Sequence, residues 1–164
     1  MEGVSDLVDD DPDLCLVAGH AIPRGAEGRT ALLLARIGTV LTDLADERLA
    51  AAGLDGREYS ILAILATDGP GSQQDLATLL GRAPGVIVAK VDGLEERGLV
   101  VRTRDPGDRR RSRVTLTPAG AKALTAADEV AEQTVREVLG GLDAAQRRQL
   151  DELIAVGVGL RPAA

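Results

Sequence analysis

Seven arginines stand between positions 97 and 113, at 97, 102, 104, 109, 110, 111 and 113, opposed only by Asp105 and Asp108, so this window carries +5. The chain as a whole is formally −7 at pH 7, which leaves −12 on the other 147 residues. Guanidinium groups are permanent cations whose planar donor fork matches phosphate. A concentrated basic strip on an acidic body attracts a polyanion locally while the rest repels non-specific contact; a solvated hairpin tip is the other reading of such a cluster. Residues for other chemistry are scarce. With one His (His20), one Cys (Cys15) and no glycine-rich phosphate loop after a strand, nucleophilic and nucleotide catalysis lack their parts, so neither enzyme activity nor a cofactor is expected. Cys15 and His20 together supply only two metal donors, too few for a site.

The elements that must position the arginines follow from periodicity. Apolar residues make up 45 %, yet Tyr59 is the only aromatic one, so the core must be built from Leu, Val, Ile and Ala, as in packed helices. Residues 1–28, with Asp9, Asp10, Asp11, Asp13, Pro12 and Pro23, are too poor in periodic apolar residues for a long helix and are expected to form a mobile acidic arm. From Thr30, Leu33, Ile37, Val40, Leu41 and Leu44 recur at helical spacing to near Gly53. Asp55 and Glu58 have capping-box spacing, and Tyr59, Leu62, Ala63 and Ala66 line one face of the helix they open. Ser72 with Asp75 opens a helix expected to bury Leu76, Leu79 and Leu80 before Gly81. Pro84 suits the first position of the next, whose inward face is Ile87, Val91 and Leu94 and which closes at Gly98. Two short helices joined by a tight turn make a helix-turn-helix.

Past Gly98 the period becomes two. Leu99–Arg104 and Ser112–Thr117 read as strands, with turn chemistry in Asp105, Pro106, Gly107 and Asp108 between them. Thr117 and Pro118 start a helix that Gly140 and Gly141 end, and Asp143 with Gln146 caps a last one. A basic hairpin directly after a helix-turn-helix is where a wing belongs: the second helix fits the major groove and the hairpin reaches along the backbone toward the minor groove. The placement favours duplex DNA as partner over a merely solvated tip.

From Thr30 to the C-terminus the sequence resembles the MarR family of transcriptional regulators. The resemblance is most specific at Asp105, Pro106, Asp108, Arg109, Arg110, Val114, Leu116, Thr117 and Gly120, and extends through Leu94, Glu95, Glu96, Arg97, Gly98, Leu99 and Val100. It implies a mainly α fold with a small β-hairpin, a winged helix-turn-helix domain (54–117) flanked by dimerisation helices at 29–53 and 118–164. It also implies a homodimer on a pseudo-palindromic operator, Arg110 in the minor groove, Arg109 and Arg111 on phosphates, and Asp108 bracing the wing. Arg102, Arg104 and Arg113 are left to solvate the strands.

The reading helix departs from the family pattern. Gly85, Val86, Val88 and Ala89 stand where hydrogen-bonding side chains are usual, and Ala83 replaces the usual cap. Such side chains neither donate nor accept at base edges, so direct hydrogen-bond readout is expected to be weak. Arg82 and Lys90 are the nearby charged candidates; Gln73 and Gln74 suit phosphate or base-edge contacts, or are ordinary surface residues. Relatives release DNA on binding a small anionic or phenolic effector, and by position Arg36, Arg57 and Tyr59 are candidates for contacting one.

The expected function is therefore a ligand-responsive repressor. The rivals are a winged-helix module that binds protein, consistent with pI 4.7, and a redox-sensing repressor built on Cys15. With no signal region, no membrane-length apolar run and no second cysteine, a cytoplasmic protein without a membrane partner is expected.

Overall fold

Side-chain caps decide where three of the helices begin. A computed structural model of the chain describes residues 14–17, 20–23, 28–69, 71–104 and 112–159. Six helices, α1 (Thr30–Ala51), α2 (Gly56–Thr67), α3 (Gln73–Leu79), α4 (Pro84–Glu96), α5 (Pro118–Val138) and α6 (Ala144–Gly157), are among these residues. So are four strands, β1 (Leu14–Val17), β2 (His20–Pro23), β3 (Val100–Arg104) and β4 (Ser112–Leu116). Reciprocal capping boxes form at Asp55/Glu58, Ser72/Asp75 and Asp143/Gln146, each side chain satisfying an N–H that the helix leaves open. Pro84 begins α4 with no side-chain bond from Ala83. At the other ends, Gly81 (φ +59°) and Gly98 (φ +70°) take the left-handed conformation that only glycine adopts freely. There the amides of Arg82 and Leu99 bond back to the carbonyls of Ala77 and Leu94, at 3.0 and 2.9 Å, and close α3 and α4.

The chain divides into two units, Gly38–Thr134 and the segments on either side of it, with the boundaries inside α1 and α5. The central unit holds one core, into which α2 sends Ile61, Leu62 and Leu65, α3 sends Leu76 and Ala77, and α4 sends Ile87, Val91 and Leu94. Val100 and Val114 close it from the hairpin. Two expected faces are corrected. In α2 the buried stripe is turned toward Ile61 and Leu65, leaving Ala66 exposed, because a branched side chain removes more apolar area from water than alanine does. In α3, Leu80 follows Leu76 inward at four-residue spacing, whereas Leu79 turns off that face and is 61 % exposed.

β3 and β4 pair antiparallel from Val100↔Leu116 to Arg104↔Ser112. Gly71, just before α3, exchanges two further bonds with Val114, at 2.8 and 3.2 Å, and so ties the hairpin to the start of the helix-turn-helix.

In the other unit, β1 and β2 pair from Leu14↔Pro23 to Val17↔His20. The segment expected to be an arm thus contains a hairpin. Leu14–Val17 and His20–Pro23 are short extended runs of a kind that a search for helical period passes over. Residues 1–13, 18–19 and 24–27 lie outside the described residues. α6 buries none of its side chains, and Leu153, Ile154, Val156 and Val158 are exposed, as are Leu32 and Leu34 of α1. No helix among the described residues is long and apolar enough to cross a membrane.

Candidate nucleic-acid interface

The rotation of α4 about its axis is set by Ile87, Val91 and Leu94, all fully buried. Their i, i+4, i+7 spacing puts one stripe into the core and turns the opposite side to solvent. Gly85, Val86, Val88 and Ala89 are all exposed there, as the sequence places them.

Two ionic clusters hold the helix. On one side Lys90 bonds the Asp55 carboxylate and lies 3.8 Å from Glu58, while Arg97 reaches Glu58 at 2.9 Å and the Gly53 carbonyl. Asp55 also caps α2, accepting from the amides of Arg57 and Glu58 at 2.9 Å. Burial pushes its pKa up, but the bonds from Lys90 and the Glu58 amide outweigh this and hold it below its ordinary 3.8. Lys90, expected at a base edge, is held against α2 in this structure.

On the wing side Arg102 of β3 bonds both Asp92 and Glu95 of α4, and its amide donates to Glu95 Oε1 at 2.8 Å. That backbone bond first, and then the guanidinium, hold the Glu95 carboxyl below its ordinary range. Arg102 was expected to solvate a strand, whereas here it fastens the wing to the reading helix. Asp92 and Glu95, one helical turn apart and ten and seven residues before an arginine, were the available signal. Arg104 is exposed at the end of β3. Asp108, Arg109, Arg110 and Arg111 lie outside the described residues.

A cleft of about 270 Å³ opens where α3, α4 and β4 begin, lined by Ser72, Gln73, Gln74, Pro84, Val88 and Ser112. The Gln73 amide nitrogen is buried with no hydrogen-bond partner among the described residues. Gln74 and Arg82 are exposed. The structure thus gathers Gln73, Gln74 and Val88 around one opening.

Two of the effector candidates, Arg57 and Tyr59, belong to the central unit. Tyr59 is half-buried on α2 and donates its hydroxyl to Asp128 Oδ1 of α5 at 3.0 Å. Arg57 is exposed, and Arg36 belongs to the other unit. Burial, then the bond to Asp128, pushes the Tyr59 phenol up to about 12. Because this folded value is raised, the stability it contributes is complete below the ordinary 10.0 and is lost as pH climbs toward 12. Tyr59 is the only aromatic side chain, so ultraviolet titration of tyrosinate reads it alone. We expect no ionisation through pH 10 in the folded chain and a lower midpoint in Asp128→Asn; a wild-type midpoint near 10 would show the bond to be absent.

Cys15 and His20 lie on the paired strands β1 and β2, facing Ile22 and Val17 in register. No group of three or more metal-ligating side chains occurs among the described residues.

Comparison with known proteins agrees with this geometry. The model of the MarR family matches residues 54–112. A crystal structure of a MarR-family transcriptional regulator from Rhodococcus sp. RHA1 is 30 % identical with a TM-score of 0.70, aligning 79 % of this chain with 91 % of that one. CouR from Rhodococcus jostii RHA1, solved with p-coumaroyl-CoA bound, is 29 % identical with a TM-score of 0.67, over 84 % of this chain and 97 % of its own. A proposed transcriptional regulatory protein for the hcr operon of Thauera aromatica is 33 % identical over 96 residues. That match spans 58 % of either chain, so this chain covers little more than half of that curated relative. With the winged fold and a relative of this identity aligned over nearly its whole length, the chain belongs to the MarR family of transcriptional regulators.

Proposed function

We propose that this chain binds duplex DNA as a homodimer on a pseudo-palindromic operator and acts as a repressor that a small organic effector releases. The observation that carries the reading is α4, rolled outward by three fully buried side chains and fastened to the wing by Arg102. In this arrangement α4 enters the major groove and the hairpin follows the flanking backbone. Gln73, Gln74 and Arg82 lie at the edge of that footprint. Arg110 enters the minor groove, where narrow A·T-rich stretches attract arginine, and Arg109 and Arg111 hold phosphates with Asp108 bracing them. A second copy covers the exposed apolar side chains of α6 and of the start of α1, which amount to more than isolated surface residues. The likeness to CouR, whose ligand is an acyl-CoA, supports an anionic organic effector. Arg57 and Arg36 are its candidate contacts, together with Tyr59 if the effector displaces Asp128.

Footprinting on the DNA upstream of the chain's own gene, repeated across a salt series, tests this. The expected result is a protected pseudo-palindrome whose log affinity falls with log salt at about 0.9 per neutralised phosphate. Absence of a protected site, or an affinity indifferent to salt, would point instead to a protein partner.

A further inference from the structure

We infer that the outward face of α4 discriminates base pairs by the 5-methyl group of thymine, with Val86 and Val88 as the contacting side chains. Gly85 and Ala89 are the positions that let the helix approach. The inference rests on duplex DNA being the ligand of this interface.

With Ile87 fully buried, a 3.6-residue period points Gly85 and Ala89 most nearly away from the core and sets Val86 and Val88 on the flanks between. The result is a hollow with apolar walls. Val86 is 42 % and Val88 39 % exposed, so the chain's own core leaves much of both side chains uncovered. The hollow is not demanded by packing either, since a Cβ added at Gly85 would meet nothing within 4 Å. None of the four side chains can donate or accept a hydrogen bond. Lys90, the next residue along, is held by Asp55.

Among the groups that the four base pairs show in the major groove, the thymine methyl is the apolar one; the others are hydrogen-bond donors and acceptors. A face with no hydrogen-bonding capacity can gain from that methyl and would leave the other groups unpaired. Val88 belongs to a second wall as well. It lines the cleft shared with Ser72, Gln73, Gln74 and Ser112, whose hydroxyl and amide side chains make the other wall polar. A thymine nucleotide in duplex DNA carries acceptors, the base O4 and the phosphate oxygens, together with its methyl. One occupant therefore suits the polar wall and the apolar wall together.

The test uses the full chain. Operators are first enriched from a random duplex library, and each enriched thymine is then replaced by deoxyuridine, which lacks only the methyl. At the thymines facing α4 we expect affinity to fall about 4-fold per methyl removed, the value of one buried methylene-sized group. The Val86→Ala/Val88→Ala variant, altered only at exposed positions, should bind thymine and uracil operators about equally. Equal binding of both operators by the unaltered chain overturns the inference while DNA binding stands. Undiminished discrimination in the double variant overturns the assignment to these valines. If no duplex is enriched at all, the DNA reading falls and this inference with it.

Discussion

Replacing Arg109, Arg110 and Arg111 together with alanine should lower operator affinity roughly 100-fold at moderate salt and make the salt dependence shallower by about 2 to 3 logarithmic units per unit of log salt. The expectation comes from charge distribution. Outside the 97–113 window the chain carries −12, so little else on it favours a polyanion. The three residues lie outside those described, but their neighbours in the chain do not: β3 ends at Arg104 and β4 starts at Ser112. Those strands are fastened to α4 through Arg102 and to the start of α3 through Gly71. The hydrogen-bond-poor face of α4 makes affinity rest more heavily on the wing, because no side chain at its centre supplies a charge-assisted contact in compensation. Gel-shift titrations of the triple variant and its parent at several salt concentrations measure both quantities. Equal affinities and slopes would remove the wing from the binding surface. The single Arg110→Ala variant should additionally weaken any preference for A·T-rich flanks, which alanine at the phosphate positions should leave intact.

The second large effect is on stability. Gly120→Ala should lower unfolding free energy by about 3 kcal/mol, the upper part of the range for forcing extra atoms into a packed site. Gly120 is buried in the first turn of α5, and a Cβ there would stand 2.0 Å from the Leu99 carbonyl oxygen and 2.8 Å from Leu116 Cδ1. The carbonyl cannot move aside cheaply. It accepts from the Thr117 amide at 3.1 Å, Thr117 Oγ1 lies within hydrogen-bond reach of both the Gly98 and Leu99 oxygens, and that same oxygen accepts from the Gly120 amide at 3.0 Å. Any methyl at 120 must therefore lift the start of α5 from the foot of the wing. A fall in Tm of about 10 °C is expected for a chain of this size. Gly85→Ala is the control: its added carbon meets nothing within 4 Å, and alanine is the better helix former by up to about 1 kcal/mol, so its stability should hold or rise. If the two variants melted alike, the close approach at Gly120 would not exist in solution.

Much of the scaffold was legible because it is encoded locally. The boxes at Asp55/Glu58, Ser72/Asp75 and Asp143/Gln146 depend on a three-residue spacing that a sequence displays directly. The stripe Ile87, Val91, Leu94 shows in the same way, as does the change to period two after Gly98. The wing pattern from Asp105 to Gly120 named the family, yet gave no reason for its glycine; the reason is the Leu99 carbonyl, twenty-one positions earlier. Leu79 and Ala66 were misplaced because apolarity and approximate period do not say which of two adjacent faces meets the larger neighbours. The pairing of Lys90 with Asp55 was not legible, because the two lie thirty-five positions apart and Asp55 already had a visible role as a cap.

The arginine strip, the helix-turn-helix and the hydrogen-bond-poor face of α4 were determined by sequence alone, because charge count, capping and helical period are properties of residues near one another in the chain. Tertiary structure decided what those residues are free to do. It joined Lys90 to the Asp55 cap of α2, made Arg102 a brace to Asp92 and Glu95, bridged Gly71 to Val114, left Val86 and Val88 partly exposed, and set Val88 in one cleft with Gln73. The physical reason is range. An ion pair or a backbone clash is set by distances of a few ångströms between segments far apart in sequence, and those distances exist only once the core of Ile61, Leu62, Leu76, Ile87 and Leu94 has packed.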